Sequence, residues 1–430
     1  MALTGRLAAA ALIGTLVVAL VGSGWAVLVV DGLLLVGVVV DLALAGSVRS
    51  LRLSRSGDSV VRLGEAAEVT LRVSNPSGRR VHGVVRDAWP PSAGVARTRA
   101  PLDLPAGERR ALVTTLVPTR RGDRVADRVT IRSYGPLGLA ARQGSHAAPW
   151  RVRALPPFTS RKHLPSKLAR LRDLDGRTAV LQRGQGTEFD SLREYVPGDD
   201  VRSIDWRATA RAGDVVVRTW RPERDRHVLL VLDTGRTAAG RVGDAPRLDA
   251  AMDAALLLAA LATRAGDRVD FVAHDRVLRA AVQGRSTTEL LPSLVQAMAP
   301  IDAQLVEPDW EAIAAEIMRR APRRSLVVLL TALDPSPVEH GLMPVLPRLT
   351  RRHRVLLASV ADPRVAELAA GRGDTEAVYG AAAGAKTSLD RVRVAAALAR
   401  TGVTVVEGSP DALPPRLADA YLALKAAGLL

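Results

Sequence analysis

Residues 228–237 read Val-Leu-Leu-Val-Leu-Asp-Thr-Gly-Arg-Thr. Five consecutive apolar residues ended by Asp233 are typical of a short strand that is buried on both faces of a sheet. A long apolar helix is predicted next, over residues 248–264. Further strands are predicted at residues 269–273, 326–330, 355–360 and 403–406, with helices such as 310–320 and 388–400 between them. This alternation predicts an α/β doubly wound domain over residues 227–430, with helices on both faces of a parallel sheet.

Two of the predicted strands are followed by an acidic residue. Asp233 ends the first strand, and Asp334 comes soon after the strand at residues 326–330. Ligands of parallel sheets bind beyond the carboxyl ends of the strands. We therefore expect these two carboxylates to mark the candidate functional site.

The N-terminal segment is apolar over about twice the ~20 residues that one helix needs to cross a bilayer. No charged residue lies between positions 7 and 30, and only Asp31 and Asp41 interrupt the apolar run up to position 45. The length predicts a transmembrane helical hairpin over residues 1–46 that turns near Gly22. A single span over residues 7–30 is the alternative.

Basic residues flank this segment and also decide the expected partners. Arg49, Arg52 and Arg55 follow the apolar run, so the positive-inside rule predicts a cytoplasmic body at the cell (inner) membrane. The net charge is +16, and the basic excess lies between residues 47 and 230. Anionic headgroups attract each nearby cation by about 1 kcal/mol, so we expect contact with the inner leaflet. Aromatic residues make up 3% of the chain, too few to favour stacking on bases, and no nucleic acid is expected.

Residues 47–150 have the pattern of short strands separated by turns. Apolar and polar residues alternate over residues 69–73 and 110–117, and another strand is predicted at 129–132. No helical run lies among them, so we predict an all-β immunoglobulin-like sandwich. Residues 151–226 are predicted to be a linker and an extension of the domain that follows.

Several kinds of site are excluded or disfavoured by the sequence. The chain has no cysteine, which excludes disulfides, thiolate metal sites and cysteine nucleophiles. Residues 380–387 resemble a phosphate-binding loop, but Ala385 replaces the glycine before the lysine and no buried strand precedes them. The histidines form no metalloprotease motif, and no serine hydrolase motif is present. We recognise no catalytic constellation and expect a protein that is not an enzyme.

A second stretch, residues 184–211, reads Gly-Gln-Gly-Thr-Glu-Phe-Asp-Ser-Leu-Arg-Glu-Tyr-Val-Pro-Gly-Asp-Asp-Val-Arg-Ser-Ile-Asp-Trp-Arg-Ala-Thr-Ala-Arg. It is similar to the signature of domain-of-unknown-function family fifty-eight. Residues 134–139, Tyr-Gly-Pro-Leu-Gly-Leu, resemble the family's segment ahead of that signature. The resemblance implies a membrane-anchored bacterial protein, often encoded beside a MoxR-type AAA+ ATPase, with no established enzymatic activity.

The C-terminal half looks like a von Willebrand A-type domain, because its first strand is followed by Asp233, Thr237 and a long helix. This resemblance implies a Mg²⁺ ion at the sheet edge, held by Asp233, Thr237 and Asp334, with a further threonine or serine hydroxyl from Ser286, Thr287 or Thr288. Gly235 stands where such sites have a serine, and Arg236 opposes a cation. The alternative is a degenerate site in which Asp233 only caps the following turn.

Charged and aromatic side chains alternate along the signature. Those we single out are Glu188, Arg193, Tyr195, Asp199, Asp200, Arg202, Asp205, Trp206 and Arg211. One interpretation is structural, an ion-pair network that clamps this extension onto the sheet domain. The other is a recognition surface for the ATPase or for a client protein.

Two hypotheses about function remain. In the first, the chain is a membrane-anchored cytoplasmic scaffold that acts with a MoxR-type AAA+ ATPase and presents a degenerate metal-dependent adhesion-type site to a protein partner. In the second, it is a metal-dependent hydrolase that uses Asp233, Asp334 and the carboxylates of the signature.

Overall fold

A computed structural model describes residues 1–181, 188–197, 199–221, 226–284 and 288–430; of residues 175–181, 188–191 and 219–221 it describes the backbone alone. The chain divides into two compact units, Met1–Pro157 and Phe158–Leu430.

The first unit begins with a pair of helices and continues as two β-sheets. Its elements are β1 Ala2–Leu3, α1 Gly5–Val21, α2 Gly24–Leu44, β2 Arg52–Gly57, β3 Val60–Arg62, β4 Ala67–Ser74, β5 Val81–Asp87, β6 Arg99–Leu104, β7 Arg109–Leu116, β8 Gly122–Tyr134 and β9 Ala140–Leu155. One sheet has the order β1-β9-β8-β5-β6 with β3 beside β9, and the other has the order β2-β4-β7. Alternate residues of β4, including Leu71 and Val73, pack with Ile131 of β8 in one buried core, so the two sheets form a sandwich.

The two N-terminal helices form a hairpin that turns at Gly22, whose φ of 65° is in the left-handed region that favours glycine. Its legs pack closely, because a Cβ on Gly14 would lie 2.5 Å from the side chain of Val30. Helix α2, with 21 residues, is long and apolar enough to cross a membrane, whereas α1 has 17 residues. The alternative of one helix over residues 7–30 is wrong, since α1 ends at Val21.

Asp41, near the end of α2, is fully buried and holds the turn between β8 and β9. Its carboxylate accepts hydrogen bonds from the backbone N–H groups of Leu137 (2.7 Å), Leu139 (2.5 Å) and Ala140 (3.0 Å). A Cβ on Gly135 would lie 2.4 Å from the Cα of Asp41, so only glycine fits there. This turn is the segment that resembles the family ahead of its signature, and the close approach of Asp41 accounts for its glycine at position 135.

The other leg of the hairpin binds the same turn. The Thr4 hydroxyl, at the start of α1, donates to the carbonyl of Gly138 at 2.6 Å. At the end of α2, the guanidinium groups of Arg79 and Arg142 donate to the last backbone carbonyls, where the helix dipole favours cations. Both legs are therefore fixed to the sandwich at their base.

Arg55 does not serve as a free cation beside the hairpin. Its side chain is 1% exposed, forms an ion pair with Asp87 and lies over the ring of Trp89. One of the three arginines that were predicted to flank the membrane is therefore neutralised by an ion pair inside the sandwich.

The second unit is built around a six-stranded sheet. Its elements are α3 Leu164–Leu181, β10 Glu188–Glu194, α4 Trp206–Ala212, β11 Val216–Arg221, β12 His227–Asp233, β13 Arg241–Val242, β14 Ala245–Pro246, α5 Arg247–Arg264, β15 Arg268–His274, β16 Leu278–Val282, α6 Leu290–Met298, α7 Trp310–Arg320, β17 Leu326–Leu330, α8 Pro335–Pro337, α9 Met343–Thr350, β18 Arg354–Val360, α10 Pro363–Ala369, α11 Thr375–Arg400, β19 Thr404–Gly408 and α12 Leu413–Ala426.

The sheet has the order β16-β15-β12-β17-β18-β19, and all of its strand pairs except β15 with β16 are parallel. Helices α7, α9 and α11 contribute apolar side chains to the core on one face. Helices α5 and α12 pack together on the other face. The strands predicted from the apolar runs coincide with β12, β15, β17, β18 and β19. Residues 380–387 lie inside α11, so they form no phosphate-binding loop.

Candidate functional site

Asp233 lies at the carboxyl end of β12, in the middle of the sheet, and is buried. Its Oδ1 accepts the backbone N–H of Gly235 at 2.7 Å, and its Oδ2 accepts the hydroxyls of Thr331 at 2.6 Å and Thr237 at 3.2 Å. Burial raises the pKa of Asp233 above its ordinary value, because the three hydrogen bonds only partly offset the loss of solvent. The carboxylate thus ties the loop after β12 to the end of β17.

Asp275 is the second carboxylate of this edge, and the sequence analysis missed it. It follows His274, which pairs in register with Asp233, and it is fully buried. It accepts hydrogen bonds from the Thr234 hydroxyl (2.9 Å), from Arg279 Nε (2.7 Å) and from the backbone N–H of Arg276 (2.6 Å). The rule that selected Asp233 would have found it, since an acid follows the predicted strand at residues 269–273 as well.

Asp334 lies beyond the end of β17 and pairs with a cation that the sequence did not single out. Arg247, the first residue of α5, places its Nη1 3.5 Å from Asp334 Oδ2. The same side chain lines a small recess of about 20 Å³ together with Asp233, Thr237 and Thr331. Its Nε is buried and has no hydrogen-bond partner within the part of the chain that the structure describes. The Arg247 guanidinium group is therefore paired with Asp334 and lines the same recess as Asp233.

These residues do not fit a magnesium ion. A Cβ on residue 235 would lie 2.9 Å from the carbonyl oxygen of Val306, so the edge has no room for the serine that such sites use. Both oxygens of Asp233 are occupied by internal donors, and Arg247 supplies positive charge where the ion would lie. Of the other hydroxyls proposed, Thr288 is exposed, and Ser286 and Thr287 lie outside the described residues. Over the described ranges, with gaps at 182–187, 198, 222–225 and 285–287, no three His, Asp or Glu side chains cluster as metal ligands.

Replacing Asp233 with asparagine should change the free energy of unfolding by about 1 kcal/mol or less. The asparagine carbonyl can still accept from Gly235, and the two threonine hydroxyls can rotate to accept from the new amide. Thermal unfolding with and without millimolar Mg²⁺ checks this for the natural chain and for Asp233→Asn. A rise in melting temperature with Mg²⁺ that Asp233→Asn abolishes would show that the edge binds the metal after all.

The signature residues form a separate structure, which we call the signature ribbon: β10 paired antiparallel with β11, and α4 between them. Arg193 Nη2 lies 2.6 Å from Asp199 Oδ1, and Arg218 Nη2 lies 2.7 Å from Asp205 Oδ2. Both ion pairs join residues of the ribbon to each other. They shape the ribbon, whereas the structural interpretation of the sequence expected ion pairs between the ribbon and the sheet.

Two aspartates of the ribbon act as caps. Asp205 Oδ1 accepts the backbone N–H groups of Arg207 and Ala208, both at 3.0 Å, and so begins α4. The hydrogen bond from Ala208, together with Arg218, lowers the pKa of Asp205. Asp200 accepts from the N–H of Arg202 at 2.9 Å in the same way.

Four further signature residues are exposed or half-buried. Trp206 is 68% exposed, Tyr195 is half-buried, and Arg202 and Arg211 are exposed. Glu188 begins β10, and its side chain lies outside the described part of the chain. The ribbon therefore combines a fixed backbone with an exposed indole and exposed cations.

Comparison with known proteins finds uncharacterised relatives. An uncharacterised protein of Mycobacterium tuberculosis (strain ATCC 25618 / H37Rv) is 29% identical over 187 residues, which are 43% of this chain and 58% of the relative. An uncharacterised protein of Mycobacterium bovis matches with the same values. The match therefore spans less than two thirds of these relatives' length.

Solved structures match the chain at low similarity. The CARDB domain of the PF1109 protein from Pyrococcus furiosus has 21% identity and a TM-score of 0.19, covering 24% of this chain and 86% of that one. A beta-glucosidase from Listeria innocua has 16% identity and a TM-score of 0.15, covering 23% and 16%. Neither supports an argument about function. The family described as protein of unknown function DUF58 has a model that matches residues 191–402, so the sheet edge and most of the signature ribbon lie in the DUF58 part of the chain.

Proposed function

We propose that this chain is a membrane-anchored interaction protein that presents the signature ribbon, with the metal-free sheet edge, to a protein partner. By the family resemblance that partner is an AAA+ ATPase of MoxR type. The first unit supplies the anchor and an immunoglobulin-like sandwich. The second unit is a von Willebrand A-like domain, an assignment that the sheet order with one antiparallel edge strand supports.

The observation that carries this proposal is Trp206. Its indole is 68% exposed although it stands on a helix whose start is fixed by Asp205. Exposed tryptophan costs solubility and is enriched among the residues that dominate binding energy at interfaces. Val201 and Val196 of the same ribbon are also exposed apolar residues, at 65% and 55%. The exposed cations Arg202 and Arg211 favour an acidic rim on the partner.

The groups at the sheet edge favour a binding surface over a catalytic site. Asp233 and Asp275 are buried and satisfied by neighbouring donors, so they hold loops in place. Arg247 and Asp334 retain some exposure, and so do Arg236 and Arg279 beside the two buried carboxylates. A partner would meet a rigid surface with fixed charges there.

The charges at the base of the hairpin favour a location at the inner membrane, with the body of the protein in the cytoplasm. Arg6, Arg49, Arg79 and Arg142 all lie near the end of the hairpin that joins the sandwich. Cations at one end of a span are retained on the cytoplasmic side, and anionic headgroups attract them. This arrangement would place the sandwich against the inner leaflet.

Replacing Trp206 with alanine should weaken binding of the ATPase about 30-fold, which corresponds to the ~2 kcal/mol typical of an interface hot spot. The measurement is the dissociation constant between the full chain in lipid nanodiscs and a MoxR-type AAA+ ATPase from the same organism. The physical reason is the loss of indole contact area, because the side chain makes little contact within its own chain.

Val113→Ala is the matched control, since Val113 is also exposed, at 61%, but lies on β7 of the sandwich, outside both the ribbon and the sheet edge. It should leave the dissociation constant unchanged. Equal affinities for the natural chain and Trp206→Ala, or no binding by the natural chain, would remove the proposal.

A further inference from the structure

Helix α11, Thr375–Arg400, has two apolar faces, and only one of them is used inside the unit. Val394 and Leu398 are buried in the core beside the sheet, and Gly384 and Arg391 lie on the same face. Arg391 forms an ion pair with Glu407 at 3.2 Å. The contacts on this face hold the helix against the sheet.

The second face carries apolar residues at alternating spacings of four and three. We call it the outer stripe, and its members are Val378, Ala382, Ala385, Leu389, Val392, Ala396 and Ala399. All seven are exposed, with Val378 at 54% and Val392 at 64%. This spacing is the repeat that brings two helices together along a coiled-coil seam. The stripe runs for about 33 Å at 1.5 Å per residue.

The composition of the stripe suits close packing. Alanine at four of the seven positions lets a second helix approach closely, and Leu389 and Val392 provide larger contacts at the centre. Without a partner, this face would leave a continuous row of apolar side chains in water. Soluble proteins seldom expose large contiguous apolar surfaces. Such a stripe is typical of an interaction surface.

Charge along one side of the stripe selects the occupant. Lys386, Arg393 and Arg400 are exposed and repeat every seven residues beside it. Arg393 Nη1 also lies 3.7 Å from Asp390 Oδ1 on the same helix, a long surface pair that leaves the guanidinium 70% exposed. On its other side stand the uncharged Ala381, Ser388 and Ala395. A second copy of this chain would form no ion pair across the stripe. In an antiparallel pair of helices the cations of the two copies would face each other. In a parallel pair the cations of each copy would face the uncharged residues of the other. A helix with acidic residues facing the three cations gains up to three charge pairs.

We propose that the outer stripe binds an amphipathic α-helix of a protein partner whose positions opposite Lys386, Arg393 and Arg400 are acidic. This surface is distinct from the signature ribbon, and it does not depend on the proposed role of Trp206. A partner that engaged both would hold the second unit at two places.

The test uses the full chain in lipid nanodiscs and two synthetic helical peptides. Both carry the same apolar heptad seam; one has glutamate and the other lysine at the flanking positions. Fluorescence anisotropy measures the two dissociation constants. We expect the glutamate peptide to bind at least tenfold more tightly.

Two variants locate the binding. Val392→Glu puts a charge in the centre of an exposed stripe and should raise the dissociation constant of the glutamate peptide at least tenfold. Circular dichroism checks that the variant is still folded. The double variant Lys386→Glu with Arg393→Glu should reverse the preference to the lysine peptide. Trp206→Ala should leave both constants unchanged, which separates this proposal from the previous one.

Three results would overturn the inference. They are equal binding of the two peptides, no binding of either, and a chain that self-associates in sedimentation through a contact that Val392→Glu abolishes. The last result would show that a second copy occupies the stripe.

Discussion

Replacing Asp275 with alanine should lower the free energy of unfolding of the second unit by about 3–4 kcal/mol. The change leaves the buried Thr234 hydroxyl and the backbone N–H groups of Arg276 and Val277 without their acceptor. Arg279 loses its ion pair but is 37% exposed and can turn to water, so it adds little. Denaturant unfolding of the full chain measures the loss.

The same residue predicts a dependence on pH. Burial alone would raise the pKa of Asp275, but the hydrogen bonds from Arg279, Thr234 and two backbone N–H groups outweigh it and hold that pKa below its ordinary value of 3.8. A lowered pKa in the folded chain gives stability that is present above the unfolded value and is lost as the pH falls through the folded one. The natural chain and Asp275→Ala should therefore converge in stability in acid.

Asp411→Ala, at an exposed aspartate, is the control and should change stability little at any pH. A difference that persists undiminished in acid would contradict the assignment.

Replacing Asp41 with alanine should destabilise the base of the hairpin by about 3–5 kcal/mol. Three backbone N–H groups, those of Leu137, Leu139 and Ala140, lose a buried acceptor at once. Amide hydrogen exchange at these residues is the most direct measurement, and it should speed up by at least a hundredfold in the full chain in nanodiscs.

Asp31→Ala is the matched control for Asp41, because both acids lie on α2. Asp31 is exposed and near the middle of the helix, so its removal should favour insertion into a bilayer and leave exchange at residues 137–140 unchanged. Unchanged exchange at these residues in Asp41→Ala would mean that the turn is held by other contacts.

The sequence predicts the sheet of the second unit well, because its strands are apolar runs with no competing interpretation. The run before Asp233 and the run at residues 326–330 agree with β12 and β17 almost residue for residue. Helix α7 has the predicted bounds, since Asp309 caps its start. The turn of the N-terminal hairpin also lies where glycine interrupts the apolar run.

The site was predicted less completely, because its contacts join residues that are distant in the chain. Nothing local to Arg247 indicates that its side chain reaches Asp334, 87 positions away. The lack of room at Gly235 depends on the backbone of Val306, in a different loop. The outer stripe was missed because α11 begins 13 residues before its predicted start at residue 388, in an alanine-rich stretch that resembled a loop motif.

The hairpin and the turn beneath it have a mechanical consequence. Thr4 on one leg and Asp41 on the other bind a single stretch of backbone, so in the membrane anchor proposed above the two helices would tilt only as one body. A load applied to the sandwich would then be shared between the two helices. An enzyme that extracted such an anchor would have to displace both helices together.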